Sequence, residues 1–451
     1  MSLIKFFSTN GQTERVDFRA ALLMGQAPDK GLYMPEEIPP IPRGRIGQFP
    51  KMSYPQIAYE VIKPYLGDLV PEADLRAMLE DAYNYDVPVE RVYDDKYVMR
   101  LDRGPTCSFK DFAARLMGRL IQYFLSQEGR SILILTATSG DTGSAVAHAF
   151  YDLDNVLVVV LFPEKEVTER QRRQMTTLGK NIYPLAVKGK FDDCQALVKQ
   201  AFVDVDLSAL HLSSANSINI GRLLPQSVYY FYACSRAAAR GEEIVFSVPS
   251  GNFGDLMGGL FAMKMGLPVK KFVVATNEND EFPRFMNTGI YEPIRPSKNC
   301  ISNAMNVGHP SNLARLFCLY GGQMDETGHV SLQPDMAAMR KDIYAVSITD
   351  EETRQTIKEA YSRHKVLLEP HGAVGWAGLM KYLQEYGDAG PSVSLETADP
   401  AKFPEEIVRA TGVNPPLPAA MARLDELEED FEMIDGQYAS LKDYLRRFLQ
   451  R

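Results

Sequence analysis

The chain has 451 residues, long enough for two or three domains, and its 45% hydrophobic and 24% charged residues fit a soluble globular enzyme. A net charge of -9 argues against a nucleic-acid binder, whose affinity rests on a basic face. Five scattered cysteines, odd in number and never spaced Cys-x-x-Cys, argue for reduced thiols and against a cysteine zinc site, and the six histidines show no His-Glu-x-x-His metal motif.

The start, Met-Ser-Leu-Ile-Lys-Phe-Phe-Ser-Thr, turns polar too soon for a signal peptide, and no apolar run approaches a membrane span, so a cytoplasmic location is expected. Residues 1–95 are rich in Pro, Asp and Tyr, with turn clusters such as Ala27-Pro28-Asp29-Lys30-Gly31, and read as a small accessory region with a few helices. Lys110 follows Gly104-Pro105-Thr106-Cys107-Ser108-Phe109 and opens the periodic run Phe112, Leu116, Met117, Leu120, Ile121, Phe124. That places it in the first turn of an amphipathic helix, where a lysine does not complement the helix dipole. It is either a surface lysine at a helix start or one used to form an imine with an aldehyde.

Beyond it, strand-length apolar bursts alternate with helical patterns: Ile132–Ala137, Val156–Phe162, Ile244–Val248, Phe272–Ala275, Val366–Glu369 and Val393–Thr397. This rhythm predicts an α/β fold of open parallel sheets with helices on both faces. The first burst ends in Thr138-Ser139-Gly140-Asp141-Thr142-Gly143, where a helix begins, and Val245–Val248 runs into Pro249-Ser250-Gly251-Asn252-Phe253-Gly254-Asp255 in the same way. Unpaired N–H groups at a helix start form an anion site, so the two turns suggest two anions, although each is also what a plain glycine-assisted connection looks like. Neither fits a dinucleotide or P-loop fingerprint. Between them, Ser213–Arg222 gathers amides, hydroxyls and one arginine, Arg222, which suits a phosphate or carboxylate as well as it suits a polar surface turn. Thr397 falls at the carboxyl end of a late strand, where ligands collect in open α/β sheets, and a turn or cap threonine reads the same way. Asn414-Pro415-Pro416-Leu417-Pro418 reads as a linker, and the acidic Asp425–Asp430 precedes a closing helix.

Taken together, Lys110, the two glycine turns and Thr397 make the chain resemble the threonine synthase family of the pyridoxal-phosphate fold type II superfamily. Further pieces carry the resemblance across nearly the whole chain: Ala27–Tyr33, Asn216–Arg222 with Gln226, Ala275–Asp280, Ala304–Val307 with Pro310-Ser311-Asn312, and Glu369-Pro370-His371-Gly372-Ala373-Val374-Gly375. The resemblance implies two open parallel-sheet domains with flanking helices plus the N-terminal region. In residue terms these are 1–95 accessory, 96–130 with 236–451 as the large cofactor domain, and 131–235 as the small substrate domain.

It further implies pyridoxal 5'-phosphate as cofactor, held covalently by Lys110. Gly251, Asn252, Phe253, Gly254 and Asp255 would bind its phosphate, Thr397 its ring nitrogen, and Asp141 would lie near its ring oxygen. Ser139, Gly140 and Thr142 would take the substrate carboxylate, and Asn216, Ser217 and Arg222 the substrate phosphate. The implied reaction turns O-phospho-L-homoserine and water into L-threonine and phosphate, in a monomer or homodimer without membrane or nucleic-acid partners. Arg103, Gly372 and Asp399 depart from the family, which has histidine, threonine or alanine, and histidine there. A serine/threonine dehydratase, a silent phospho-ligand binder and a nicotinamide dehydrogenase are the competing readings, the last without its glycine fingerprint.

Overall fold

The apolar runs form the inner strands of two parallel sheets in the computed structural model, which describes residues 3–387 and 390–450; Met1 and Ser2 of the polar start lie outside these. At the amino end β1 (Phe6–Ser8) and β2 (Tyr33–Pro35) pair antiparallel, and β3 (Val89–Tyr93) and β4 (Lys96–Arg100) form a hairpin. β5 (Ile132–Ala137), β6 (Val156–Pro163), β7 (Ile182–Lys188) and β8 (Leu212–Ser213) follow, then β9 (Ile244–Pro249) and β10 (Val269–Thr276). A ribbon of β11 (Gln323–Met324) and β12 (Val330–Leu332) precedes β13 (Ile343–Ser347), β14 (Ser392–Glu396) and β15 (Glu432–Asp435).

One sheet runs β13-β10-β9-β14-β4-β3 and is parallel except for edge strand β3; the other runs β15-β7-β6-β5-β8 and is parallel throughout. Every side chain of β5, β9 and β14 is buried, as strands covered by helices on both faces require. The expected architecture is therefore the observed one.

One expected strand is absent, and several pairings differ from what the chain order suggests. Val366–Glu369 is not a strand but the connection between helices Asp350–His364 and Pro370–Tyr386, where Glu369 caps the second helix by accepting the N–H groups of His371 (2.7 Å) and Gly372 (2.8 Å). β7 was hidden by Pro184, since a proline removes a ladder donor and argues against a central strand. The tail does not stay with the six-stranded sheet: β15 pairs with β7, and helix Tyr438–Arg446 packs Leu441, Tyr444 and Leu445 against Leu185, Val187 and Leu197. Conversely, β3 joins the six-stranded sheet although its sequence falls within 1–95. The rest of that N-terminal region is not a satellite, because Phe18, Leu22, Ile57, Val61 and Tyr65 share one core with Phe112, Met117, Ile220 and Tyr229.

At the carboxyl ends of the large sheet, backbone hydrogen bonds lace β4 to β14. Leu101 N–H donates to Glu396 O (2.9 Å), Phe109 N–H to Thr397 O (2.9 Å) and Asp399 N–H to Cys107 O (3.1 Å). This lacing fixes Lys110 as the first residue of helix Lys110–Glu128, beside Thr397.

Candidate active site

Lys110 is not a solvated lysine: its side chain is 13% exposed, and its Nζ lies 3.6 Å from Asp141 Oδ2. Asp141 opens helix Asp141–Phe150 after Gly140, whose φ of 131° excludes other residues and whose missing Cβ leaves room for the Gln171 side chain. Its other oxygen, Oδ1, accepts from Lys402 Nζ (2.9 Å) and Gln171 Nε2 (3.0 Å). Burial alone would raise the Asp141 carboxyl, but Lys402 first, then Lys110, hold it well below the usual carboxylate range. For Lys110 burial is the largest influence and pushes the amine down, helped by Lys402 and Arg222 and opposed by Asp141. Lys402 itself is fully buried and is pulled up by Asp141 against the cost of its own burial.

Two consequences follow from this triad. Lys402, being closer, is the main counter-charge of Asp141, so Lys110 can give up its proton without stranding a buried carboxylate. Lys402 carried no role in the sequence reading, because its partner is 261 residues away in the chain. The only local cue was Pro400 opening a short turn at the strand end, and Asp399 caps that turn by accepting Ala401 N–H at 2.8 Å. The departure at Asp399 thus serves the segment that carries Lys402.

The first glycine turn presents donors selectively. Thr138 Oγ1 accepts the N–H groups of Gly140 (2.9 Å) and Gly143 (2.8 Å), while those of Asp141 and Thr142 find no protein acceptor among the described residues. Ser139 and Thr142 are half-buried beside them. In the second turn Phe253 has a left-handed backbone (φ 62°), and the first intrahelical bond is Met257 N–H to Phe253 O, which leaves the N–H groups of Gly254, Asp255 and Leu256 open among the described residues. A Cβ at Gly251 would lie 2.8 Å from Ala304 O, and Asn252 is fixed by Ser311 and Asn312, the latter donating to its carbonyl at 3.0 Å. The Asp255 carboxyl points elsewhere: it accepts from Tyr229 and Tyr230, both at 2.6 Å, and burial pushes it up to about 6. What Asp255 can offer an anion is its backbone N–H.

Next to this turn, 3.6 Å from where a Cβ on Gly254 would stand, lies Ser217. Its hydroxyl meets that of Ser311 (3.3 Å), and Asn216 Oδ1 accepts from Thr136, leaving the Asn216 NH2 as its donor toward a ligand. Arg222 is 4% exposed, donates through Nη1 to Ala215 O (2.7 Å), and has no carboxylate within ion-pair distance among the described residues. Its Nε finds no partner. Burial lowers it to about 10, so it stays charged at neutral pH. Arg315, fully buried and not singled out from sequence, ties the loop down: it donates to Tyr33 O (3.0 Å), Ser217 O (3.3 Å), Asn312 Oδ1 (2.7 Å) and Ile218 O (2.7 Å).

Thr397 is buried at the end of β14, and its hydroxyl lies 3.2 Å from Glu369 Oε1. The departure at Gly372 has a steric cause, because a Cβ there would fall 1.6 Å from Glu396 Oε2. Glu396 is held in place by accepting Glu369 N–H at 2.7 Å, and burial followed by the neighbouring Glu369 raises its carboxyl well above the usual range. Arg103, on the rim, pairs with Asp102 at 3.5 Å.

A buried amine, two sets of open helix-start donors, a glycine cradle and a hydroxyl at a strand end are the parts that pyridoxal phosphate needs. The comparisons agree. A family model described as pyridoxal-phosphate dependent enzyme matches residues 90–397, and models for the threonine synthase N terminus and C-terminal region match 5–83 and 372–445. Threonine synthase of Serratia marcescens is 39% identical over 98% of this chain and 99% of its own. The crystal structure of PLP-bound threonine synthase from Brucella melitensis superposes with a TM-score of 0.91 at 36% identity, covering 98% of this chain and 99% of that one. Threonine synthase from yeast superposes with a TM-score of 0.90 at 29% identity, covering 99% of both chains. With both the catalytic core and its flanking regions matched end to end, the chain belongs to the threonine synthase family of pyridoxal-phosphate-dependent enzymes.

Proposed function

We propose that the chain converts O-phospho-L-homoserine and water into L-threonine and inorganic phosphate, and that Arg222 is the observation that carries this substrate. A buried guanidinium with no carboxylate partner among the described residues and an unsatisfied Nε is costly unless a ligand supplies the counter-charge, and a phosphate matches its planar fork. In this reading the substrate phosphate sits on Arg222, the Asn216 NH2 and the Ser217 hydroxyl. The substrate carboxylate sits on the open N–H groups of Asp141 and Thr142, with Ser139 and Gly140 shaping the turn. The N–H groups from Gly254 to Leu256, with Gly251, Asn252 and Phe253 forming the cradle, take the cofactor phosphate, and Thr397 faces its ring.

Lys110 would hold the cofactor, which when bound would supply an electron sink for the charge left at Cα and then Cβ when protons depart. Lys110 Nζ, its affinity for protons lowered by burial, Lys402 and Arg222, takes those protons. Asp141, held ionised by Lys402, orients the Lys110 amine in either protonation state. Departure of phosphate from Cγ toward Arg222, return of one proton to Cγ to make the methyl group, addition of water at Cβ and return of a proton to Cα complete the balance.

A three-part organisation follows, with β3 in the large domain and the 432–446 tail in the small one. The free cysteines fit a reducing cytoplasmic setting, the acidic balance fits the lack of a nucleic-acid partner, and the assembly we propose is a monomer or homodimer. Among the described residues no helix is long and apolar enough to cross a membrane.

The test is Arg222→Lys, which keeps charge but loses the fork. One charge-assisted contact is worth roughly 1.5–3 kcal/mol, so kcat/KM for O-phosphohomoserine should fall about tenfold to a hundredfold through KM, and inorganic phosphate should inhibit the variant less. An unchanged response to both, with good turnover of unphosphorylated serine or threonine, would return the chain to the dehydratase reading.

A further inference from the structure

Gly251, in the second glycine turn, stands where a Cβ would meet Ala304 O at 2.8 Å and Met305 Cα at 3.1 Å. The segment that supplies these atoms also grips the next residue, since its Ser311 and Asn312 hold Asn252. Residues 302–312 thus wall the turn from outside. The part that presses on Gly251 belongs to one short turn, Asn303–Met305, whose first N–H groups have no acceptor within the turn. Its flanks are tied by Asn277, donating to Ser302 Oγ (3.2 Å) and Asn306 Oδ1 (2.9 Å), and by Asp350, accepting Ile301 N–H (3.1 Å). Between those ties, one side-chain hydrogen bond reaches residues 303–305 from another element among the described residues: His371 Nε2 accepts Ala304 N–H at 3.0 Å.

A backbone N–H can only donate, so Nε2 is bare and the ring proton is on Nδ1, which lies 2.5 Å from Glu369 Oε2. Glu369, the cap of the same helix, thereby aims the imidazole at Ala304. Phe403 stands edge-on to the ring with 5.3 Å between centroids, and His371 is buried. We propose that His371 is a positioning residue for the cofactor phosphate: it latches the 303–305 turn onto Gly251 and so holds the cradle in the shape the phosphate needs. This rests on the reading that the turn from Gly251 to Asp255 takes that phosphate. The coupling is reciprocal, because whatever the latch adds to phosphate binding, bound phosphate adds to the latch.

The experiment titrates apoenzyme with pyridoxal phosphate and, separately, with pyridoxal, which lacks the phosphate. It compares the wild type with His371→Leu, which removes the acceptor, His371→Gln, which can return one, and Gly251→Ala. The Kd for pyridoxal phosphate should rise about tenfold in His371→Leu and stay within about threefold of wild type in His371→Gln, the scale of one hydrogen bond, while the Kd for pyridoxal moves in neither. If Gly251→Ala binds pyridoxal phosphate as tightly as the wild type, the phosphate is not at this turn, and the reading and the proposal fall together. If Gly251→Ala weakens binding but His371→Leu does not, or weakens both ligands alike, or glutamine restores nothing, the reading stands and the latch falls. Should His371→Leu fail to fold, amide exchange in the wild type decides. Bound cofactor should slow exchange at Ala304 more than at Ile301, and equal slowing overturns the latch.

Discussion

Replacing Lys402 by methionine tests whether Asp141 is anchored from behind. Lys402 Nζ is 2.9 Å from Asp141 Oδ1 and Lys110 Nζ is 3.6 Å from Oδ2, with Lys402 and Asp141 both essentially without solvent access. With an effective dielectric near 20 these separations correspond to gross attractions of about 6 and about 5 kcal/mol, so Lys402 holds the larger share but not all of it. Methionine keeps the stem and removes the charge, and breaking a buried pair from one side costs about 3–5 kcal/mol. Lys110 then becomes the sole cation on Asp141, and its amine should protonate more readily. Urea unfolding of the apoenzyme at pH 7 should show the stability loss in Lys402→Met and a similar one in Asp141→Asn, which strands Lys402. The double variant should cost less than the sum by at least about 2 kcal/mol. Asp141, held low in the fold, contributes stability above the ordinary carboxylate range and loses it in acid, whereas Lys402, held high, contributes below the ordinary lysine range and loses it in strong base. The coupling should therefore be flat from about pH 5 to 9. Additive losses, or a Lys402→Met variant within about 1 kcal/mol of wild type, would refute the anchoring.

Gly372→Ala should destabilise by about 1–3 kcal/mol, because its Cβ needs the place of Glu396 Oε2; in a Glu396→Ala background the same change should cost under about 0.5 kcal/mol, measured by urea unfolding. Glu281, 2% exposed, is pushed up to about 8 by burial, so its protonated form favours the fold: that contribution is complete below its unfolded value near 4.5 and is lost as pH rises through 8. Glu281→Gln should remove a stability slope of about 1.4 kcal/mol per pH unit between those limits, and a thermal-melt series with an unchanged slope would show that Glu281 titrates normally.

What the chain's sequence discloses depends on whether a residue's environment is local. β5 and β9 are readable because their side chains are all buried and, apart from Thr136 and Ser247, apolar, and the two anion turns because glycine and hydroxyls follow those strands directly. The apolar run at Val366-Leu367-Leu368 shows the limit: it announces burial but not the partner, and Leu368 is buried in a helix-to-helix connection where no strand pairs with it. β15 is the reverse case, a mostly exposed strand whose pairing with β7 no local pattern announces.

Charge is subject to the same limit more severely, since the meaning of a buried ionisable side chain lies entirely in its counter-charge. Asp141 read alone is a helix-start carboxylate, Lys402 a turn lysine and Glu369 a helix cap, and each of these readings is locally correct. Only in space does Lys402 become the charge that lets Lys110 lose its proton, and Glu369 the carboxylate that meets the Thr397 hydroxyl. Both sit one layer behind a residue that a motif does reveal. Motifs mark atoms that touch the ligand, because those atoms constrain residue type most tightly, while the groups that set their protonation can reach them from any element that passes close enough.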